Sequence, residues 1–508
     1  MMKKGNYMQK HIREILKGLE VVYVKGDISK LCSGIVTNSK DVKKDNLFIC
    51  HRGKHYNGKD FISEALFNGA IGIVCEEGVD NFPEGKVLIV VKNSYFAEGI
   101  ISSNFYDKPS EKILLIGVTG TNGKTTITYI LESIFASAGY KVGVIGTINY
   151  RFLDKKFESS HTTPFPSELQ KILFDMVESG VEVVVMEVSS HSLVQNRVAG
   201  CEFDVAVFTN LSSEHLDYHK TMEEYFKAKS ILFKNMIEKK KNIFTNSVLG
   251  TKSCVINVDN EWGRQMVLDC GIKNILTFGK DKDSSFRWNN VKYELSGTTF
   301  EIKFNGKNVE IETQLIGSYN IENIVASFVV AYSQGIELEK IVSGIKKVSH
   351  IPGRLEKIDS GRGFVVIIDY AHTPDALEKV IKVMRHLPHK RLIVLFGCGG
   401  DRDRTKRPLM GAIATSLADY VVITSDNPRS EDPERIILDI EVGIKRINKS
   451  NYEICIDRKE AILKVLKNAK EGDIILLAGK GHENYQILGD RKVPFDEREI
   501  VKEGLRLQ

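Results

Sequence analysis

The stretch ILLIGVTGTNGKTTITYILESIF, residues 113–135, decides the reading of this chain. A short β-branched apolar run meets a glycine-rich turn, then Lys124-Thr125-Thr126, then an amphipathic helical pattern. This order is that of a strand, a phosphate loop and a helix in a nucleotide-binding unit. Gly120 and Gly123 let backbone N–H groups approach phosphate oxygens at a helix N-terminus, with Thr121 and Asn122 between them. Lys124 adds a point charge toward the terminal phosphates, and the Thr125 hydroxyl is placed to ligate Mg²⁺. The common spacing would put a further glycine where Val118 stands, so the loop is a shorter variant.

Around this unit the chain of 508 residues is long enough for about three domains. Segments 33–53 and 70–78 read as strands with a helix, 60–69, between them. The turn-rich segment 104–112 ends this first unit, taken as residues 1–111. From 112 to 349, short apolar runs (181–191, 203–212, 241–247, 253–260) alternate with helical segments. That pattern predicts a mostly parallel sheet covered by helices, a central ATPase-like domain. Residues 286–304 alternate apolar and polar, as an antiparallel hairpin insert would. From 350 to 508, runs at 364–374, 391–400, 420–428 and 473–481 predict βα units of a doubly wound, Rossmann-like domain. The fold class is therefore α/β in three domains, the N-terminal one the smallest.

Composition excludes several classes. The net charge of +5 is too small and too dispersed to indicate nucleic acid. No apolar run approaches the roughly 20 residues of a membrane span, and the first residues lack the apolar core of a signal peptide. The eight cysteines never form Cys-x-x-Cys and lie mainly in strand-like runs. They read as free thiols in a reducing, cytoplasmic compartment, with no zinc site.

In such sheets ligands gather at the carboxyl ends of strands. One such end carries Glu187, Ser189, Ser190 and His191, and Glu187 is a natural Mg²⁺ partner beside the phosphate loop. Another carries Asn210, Glu214, His215 and His219, of which His219 reads equally well as structural. Lys229 sits centrally on a helical face with Met222, Tyr225, Phe226, Leu232 and Phe233. Such a lysine either snorkels its ammonium outward or has a depressed pKa and is chemically modified.

Together with TGTNGKTT, the motifs HTTP (161–164), MEVSSHSLVQNRV (186–198), FTNLSSEHLDYH (208–219), YFKAKSILF (225–233), GSYNIEN (317–323), PGRLE (352–356), DYAHTPDALE (369–378), FGCGGDRDRTKRP (396–408), TSDNPRSEDP (424–433) and AGKGHE (478–483) resemble the Mur ligase family. More narrowly they resemble its diaminopimelate-adding members, over all three units. The resemblance implies ATP-dependent amide synthesis on a cell-wall precursor by a monomer whose partners are small molecules. It implies that Gly120, Thr121, Asn122, Gly123, Lys124, Thr125 and Thr126 hold ATP, with Asn320, Asn323, Arg354, Asp369 and His372 closing over it. Thr125 and Glu187 would hold one Mg²⁺, and His215 with a carbamylated Lys229 a second. Lys124, His215 and Lys229 are the implied catalytic set. Ser39, Thr162, Thr163, Ser189, Gln195 and Arg197 match contacts to a UDP-muramoyl dipeptide. Arg402, Asp426, Asn427, Pro428, Arg429, Gly479 and Glu483 match the pocket for meso-diaminopimelate, with Arg429 on its distal carboxylate and Glu483 facing its distal ammonium. Glu214 departs from the family, where aspartate is expected. A lysine-adding or folate-adding ligase of the same fold is less well matched, since DNPR and MEVSSHSL fit neither. A nucleotide-binding regulator would need no Lys229.

Overall fold

The computed structural model describes residues 8–53, 57–236 and 249–506, so the apolar run at 241–247 lies outside the described residues. At its centre is an eight-stranded sheet. Its order is Lys155–Glu158, Asn149–Phe152, Val142–Ile145, Val183–Glu187, Leu114–Thr119, Val205–Phe208, Ser253–Asn257 and Ile275–Phe278. The last six run parallel, and the first two form an antiparallel edge. Alternation within Leu114–Thr119 assigns its faces. Leu114, Ile116 and Val118 join the core under helices Lys124–Ser137 and Ser318–Ser333, while Leu115 joins the one under Pro166–Glu178 and Met222–Lys234. All six positions are buried, and the near-continuous apolar run before Thr119 is what burial on both faces demands. The phosphate-loop strand is thereby interior to the sheet, and its loop emerges among the carboxyl ends of its neighbours.

The hairpin expected at 286–304 is present, and a third strand extends it. Arg287–Glu294, Gly297–Phe304 and Lys307–Thr313 form an antiparallel sheet. The third strand carries a weak pattern, since only Val309 and Ile311 are apolar among charged and polar residues.

A six-stranded sheet follows, ordered Glu356–Asp359, Val365–Asp369, Asp473–Ala478, Arg391–Phe396, Tyr420–Ile423 and Tyr452–Ile454. All pairs but the first are parallel. The N-terminal sheet has five strands, with Val87–Val91 between the antiparallel edge strand Val21–Lys25 and the parallel strand Gly72–Cys75. Helix Ser94–Phe105 reaches into the turn-rich segment 104–112. There Asp107 and Lys108 take left-handed φ values of 59° and 50°, which reverse the chain before the central sheet. The same helix packs on the central unit. Ser103 Oγ donates to Gly200 O at 2.9 Å, and the Glu98 carboxylate accepts the Ser167 N–H at 3.0 Å. No helix among the described residues is long and apolar enough to cross a membrane. The eight cysteines are free thiols.

Candidate active site

The phosphate loop is shaped by its two glycines. Gly120 has φ 146° and Gly123 φ 90°; a Cβ at Gly120 would collide with the Thr209 hydroxyl, and one at Gly123 with the Asn323 carboxamide. Asn210 fixes the loop from the next strand, accepting the Asn122 N–H on Oδ1 at 3.0 Å and the Thr121 N–H on its carbonyl at 2.9 Å. Helix Lys124–Ser137 starts immediately after Gly123 and directs its N-terminus at the loop. Lys124 folds back over it, donating to Gly120 O at 2.9 Å and Thr121 O at 2.8 Å. Burial lowers its ammonium pKa, while Glu187 and Glu214 oppose that shift.

Thr125 Oγ1 donates to Glu187 Oε1 at 2.9 Å. Thr147 supplies its N–H to the same oxygen and its hydroxyl to Oε2, both at 3.0 Å. Thr162 Oγ1 lies 3.0 Å from that of Thr147. A hydroxyl and a buried carboxylate side by side at the loop form an oxygen donor pair that suits Mg²⁺, which brings its remaining ligands as phosphates and water. Among the described residues no group of three or more His, Cys, Asp or Glu side chains is gathered to hold a metal.

Lys229 does not snorkel. It is 1% exposed, and its amine donates to Gly120 O at 2.9 Å and lies 4.4 Å from the centre of the Tyr225 ring. Burial, with Lys124 nearby, drives its pKa well below the usual lysine range. His215 adopts φ 57° and packs edge-on against His191 at 4.9 Å. His219 is a buried packing residue, 2.9 Å from Ser190 Oγ and stacked on Tyr225. Glu214, the departure noted in the sequence, spans the cleft. It lies 4.0 Å from His215 Nε2 and 3.7 Å from His372 Nε2, across from the last sheet. Burial raises its carboxyl pKa, but His372, His215, Lys124 and Lys229 together bring it below the ordinary value.

The opposite wall comes from the last sheet. Asp369 receives the N–H groups of Leu355 and Ala371, both at 2.8 Å, and burial raises its pKa. It thus shapes the turns bearing Arg354, which lies over the Tyr370 ring, and His372. Between the walls is a cavity of about 470 Å³. Thr121 to Thr126, Thr162, Glu187, Ser189, His215, Lys229, Asn323, Arg354, Asp369 and His372 all line it. Asn320 stands behind it, holding Ile316 O at 2.8 Å and the Asn323 carboxamide at 3.3 Å.

Thr163, Ser189, Gln195 and Arg197 form one network. Thr163 Oγ1 donates to Glu187 O and accepts the Ser189 N–H. Arg197 donates to Gln195 Oε1 at 2.9 Å and Thr163 O at 3.0 Å. Ser39 is not brought into this network; it sits in the N-terminal unit and donates to Glu64 at 2.5 Å. In the last unit, Asn427 Nδ2 donates to Glu483 Oε2 at 2.9 Å, and a Cβ on Gly479 would lie 2.7 Å from the Asp426 carboxylate. Arg429, following Pro428 and with φ 53°, donates to Gly400 O at 2.7 Å. A Cβ on Gly399 would lie 2.9 Å from Arg429 Nη1 and 3.8 Å from Arg402 Cγ, so the Arg429 guanidinium and the Arg402 stem flank this glycine. Sequence reasoning missed Thr147, Tyr370, Asp259, Glu322 and Lys480, although Tyr370, Glu322 and Lys480 each lie inside a quoted motif. Lys480 stands between Gly479 and Gly481. It is fully buried, donating to Asn427 Oδ1 at 2.9 Å and Glu483 Oε2 at 2.8 Å.

Comparison with known proteins gives the family. Residues 118–331 match the Mur ligase middle domain and 353–481 the Mur ligase, glutamate ligase domain. The chain belongs to the Mur ligase family. Two curated family members are named UDP-N-acetylmuramoyl-L-alanyl-D-glutamate–2,6-diaminopimelate ligase. That of Clostridium acetobutylicum (ligase 1) is 45% identical, covering 97% of this chain and 99% of the relative. That of Caldanaerobacter subterraneus is 42% identical, covering 97% and 98%. A solved structure of a ligase with the same name superposes with a TM-score of 0.70 at 32% identity, covering 99% of both chains.

Proposed function

We propose that this chain is an ATP-dependent ligase that joins meso-diaminopimelate to the D-glutamyl carboxyl of UDP-N-acetylmuramoyl-L-alanyl-D-glutamate, a step in making the peptidoglycan precursor. The observation that carries the reading is the shared cavity. The phosphate loop with Thr125 and Glu187 forms one wall, Arg354 and His372 the other. The loops bearing Asn427, Arg429 and Glu483 lie beyond Tyr370, whose ring packs on His482 at 4.9 Å.

The reaction has two steps. The substrate carboxylate attacks the γ-phosphorus of ATP, the bond to ADP breaks, and an acyl phosphate forms. The free amine then adds to the acyl carbon, and the tetrahedral species expels phosphate as the amine loses its proton. The loop amides and Lys124 hold the phosphates in line and neutralise developing charge. Arg354 and His372 approach the nucleotide from the opposite wall, so the two walls must meet before chemistry. Mg²⁺ at Thr125 and Glu187, with a second ion at His215 and a carbamylated Lys229, would supply further charge neutralisation. The lowered pKa of Lys229 supports that modification, because only a neutral amine adds to CO₂. Thr163, Ser189, Gln195 and Arg197, with Ser39 in the N-terminal unit, are assigned to the UDP-linked substrate. Arg402, Asn427, Arg429 and Glu483 are assigned to the incoming amino acid. A monomeric cytoplasmic enzyme fits small soluble substrates and ATP.

Phosphate release measured with each substrate omitted in turn tests this reading. Turnover that requires the nucleotide dipeptide, ATP and diaminopimelate together is expected. Release that ignores the amino acid would point to a nucleotide switch instead.

A further inference from the structure

Arg407 is a fully buried side chain in the first turn of helix Lys406–Leu417. Its guanidinium makes a fork-to-fork pair with Glu431, Nη1 to Oε2 at 2.9 Å and Nη2 to Oε1 at 2.8 Å. Nη1 also reaches Asp439 at 2.9 Å, and Nη2 the Gly399 carbonyl at 3.2 Å. Nε has no partner. Burying this charge is expensive, and replacing a buried ion pair by well-packed apolar residues is often neutral or stabilising. The arrangement therefore suggests a task other than stability.

What the pair touches points to the task. Glu431 Oε1 also accepts the Asp401 N–H at 2.6 Å, so one carboxylate binds Arg407 and the backbone of the opposite loop. The two loops, 397–403 and 426–431, lie so close that a Cβ on Gly400 would strike the Pro428 carbonyl. Gly400 N–H donates to Asn427 O at 2.9 Å, and Ser430 Oγ to Asp401 Oδ1 at 2.6 Å. Arg429 rests on the Gly400 carbonyl, one residue from the carbonyl Arg407 holds. Shifting the 397–403 loop would therefore re-aim Arg429.

We propose that Arg407 is a positioning residue for amino-acid selection: through Glu431 and the Gly399 carbonyl it holds the two loops in the register that directs Arg429 at the substrate. This rests on the assignment of Arg429 to the distal carboxylate of diaminopimelate. Lysine cannot substitute, because a point charge reaches one partner where the planar fork reaches three.

The test uses the full-length enzyme with Arg407→Lys and Glu431→Gln, each alone and combined with Arg429→Ala. Steady-state constants are measured for all three substrates, and folding is checked by thermal denaturation. In each single variant KM for diaminopimelate rises roughly 10-fold, with KM for ATP and the UDP-linked substrate and kcat within about twofold. In the Arg429→Ala background the same changes add little, since the group they aim is gone. Glu431→Gln keeps the shape of the side chain and carries the test if Arg407→Lys does not fold. Unchanged KM for diaminopimelate, a rise shared by all three substrates, or full additivity with Arg429→Ala would overturn the proposal. If Arg429→Ala alone leaves diaminopimelate kinetics untouched, the assignment of the pocket fails first; if that variant is crippled while Arg407→Lys is normal, only the positioning role fails.

Discussion

Replacing Arg429 with alanine should cost the enzyme its preferred amino acid while sparing the nucleotide. The backbone there already has φ 53°, and alanine is no worse suited to it than arginine, so the substitution removes a side chain without adding strain. Two things are lost. One is the hydrogen bond to the Gly400 carbonyl at 2.7 Å, worth about 1 kcal/mol net. The other is the proposed charge-assisted pair with the distal carboxylate of diaminopimelate, whose loss costs about 2–5 kcal/mol because that carboxylate is left unpaired. At 1.4 kcal/mol per factor of ten, kcat/KM for diaminopimelate should fall roughly 30-fold or more. KM for ATP should stay within about twofold, since the phosphate loop and the Arg354 wall are untouched. L-lysine should remain a poor substrate, because nothing has been added to favour it. The assay is coupled phosphate release across a diaminopimelate titration at saturating ATP and UDP-linked substrate. Unchanged diaminopimelate kinetics, or wild-type enzyme that uses L-lysine equally well, would refute the reasoning.

Other perturbations follow from the same geometry. Lys124→Ala should lower ATP turnover roughly 100–1000-fold, as the loop loses its charge; normal phosphate release would mean the loop has been misread. Lys229→Ala should lower activity by roughly 100-fold and be partly restored by short carboxylates; near-normal turnover without them would return Lys229 to packing. Glu431 has a sign that can be checked by pH. Hydrogen bonding to Arg407 holds its carboxyl at about 2, against 4.5 ordinarily, so its contribution to stability is complete above about pH 4.5 and lost as pH falls through about 2. Wild type should exceed Glu431→Gln by about 1–3 kcal/mol at pH 7, with the gap closing across that window in denaturant titrations; a gap that widens on acidification would contradict the pairing.

The α/β class and the phosphate loop were legible because each rests on local pattern. A strand buried on both faces, a glycine turn and a helix lie within the 113–135 stretch, and alternation marks the 287–304 hairpin. Lys229 was legible as an anomaly on an apolar face, though only its burial decided between snorkelling and a depressed pKa. Contacts between distant segments were not legible. Glu214 looked like a misfit until His372, 158 positions later, was found across the cleft. Thr147 carries no signal of its own and acquires one only when strand pairing brings residues 142–145 beside 183–187, and with them Glu187. Arg407 and Lys480 drew no reading of their own within their motifs, because sequence pattern does not reveal a charge buried by paired carboxylates. Ser39 illustrates the converse: the motif match is local, while the side chain's present partner, Glu64, belongs to its own unit.

The most direct test of the central claim is an amino-acid panel. Wild-type enzyme is incubated with ATP and UDP-N-acetylmuramoyl-L-alanyl-D-glutamate plus meso-diaminopimelate, L-lysine, L-ornithine or D-glutamate, and the products are weighed by mass spectrometry. The account predicts a nucleotide tripeptide heavier by one diaminopimelyl residue, formed with ADP and phosphate, and little product from the amino acids that lack a distal carboxylate paired with an amine. A product with L-lysine formed as readily as with diaminopimelate, or ATP hydrolysis without any adduct, would contradict it.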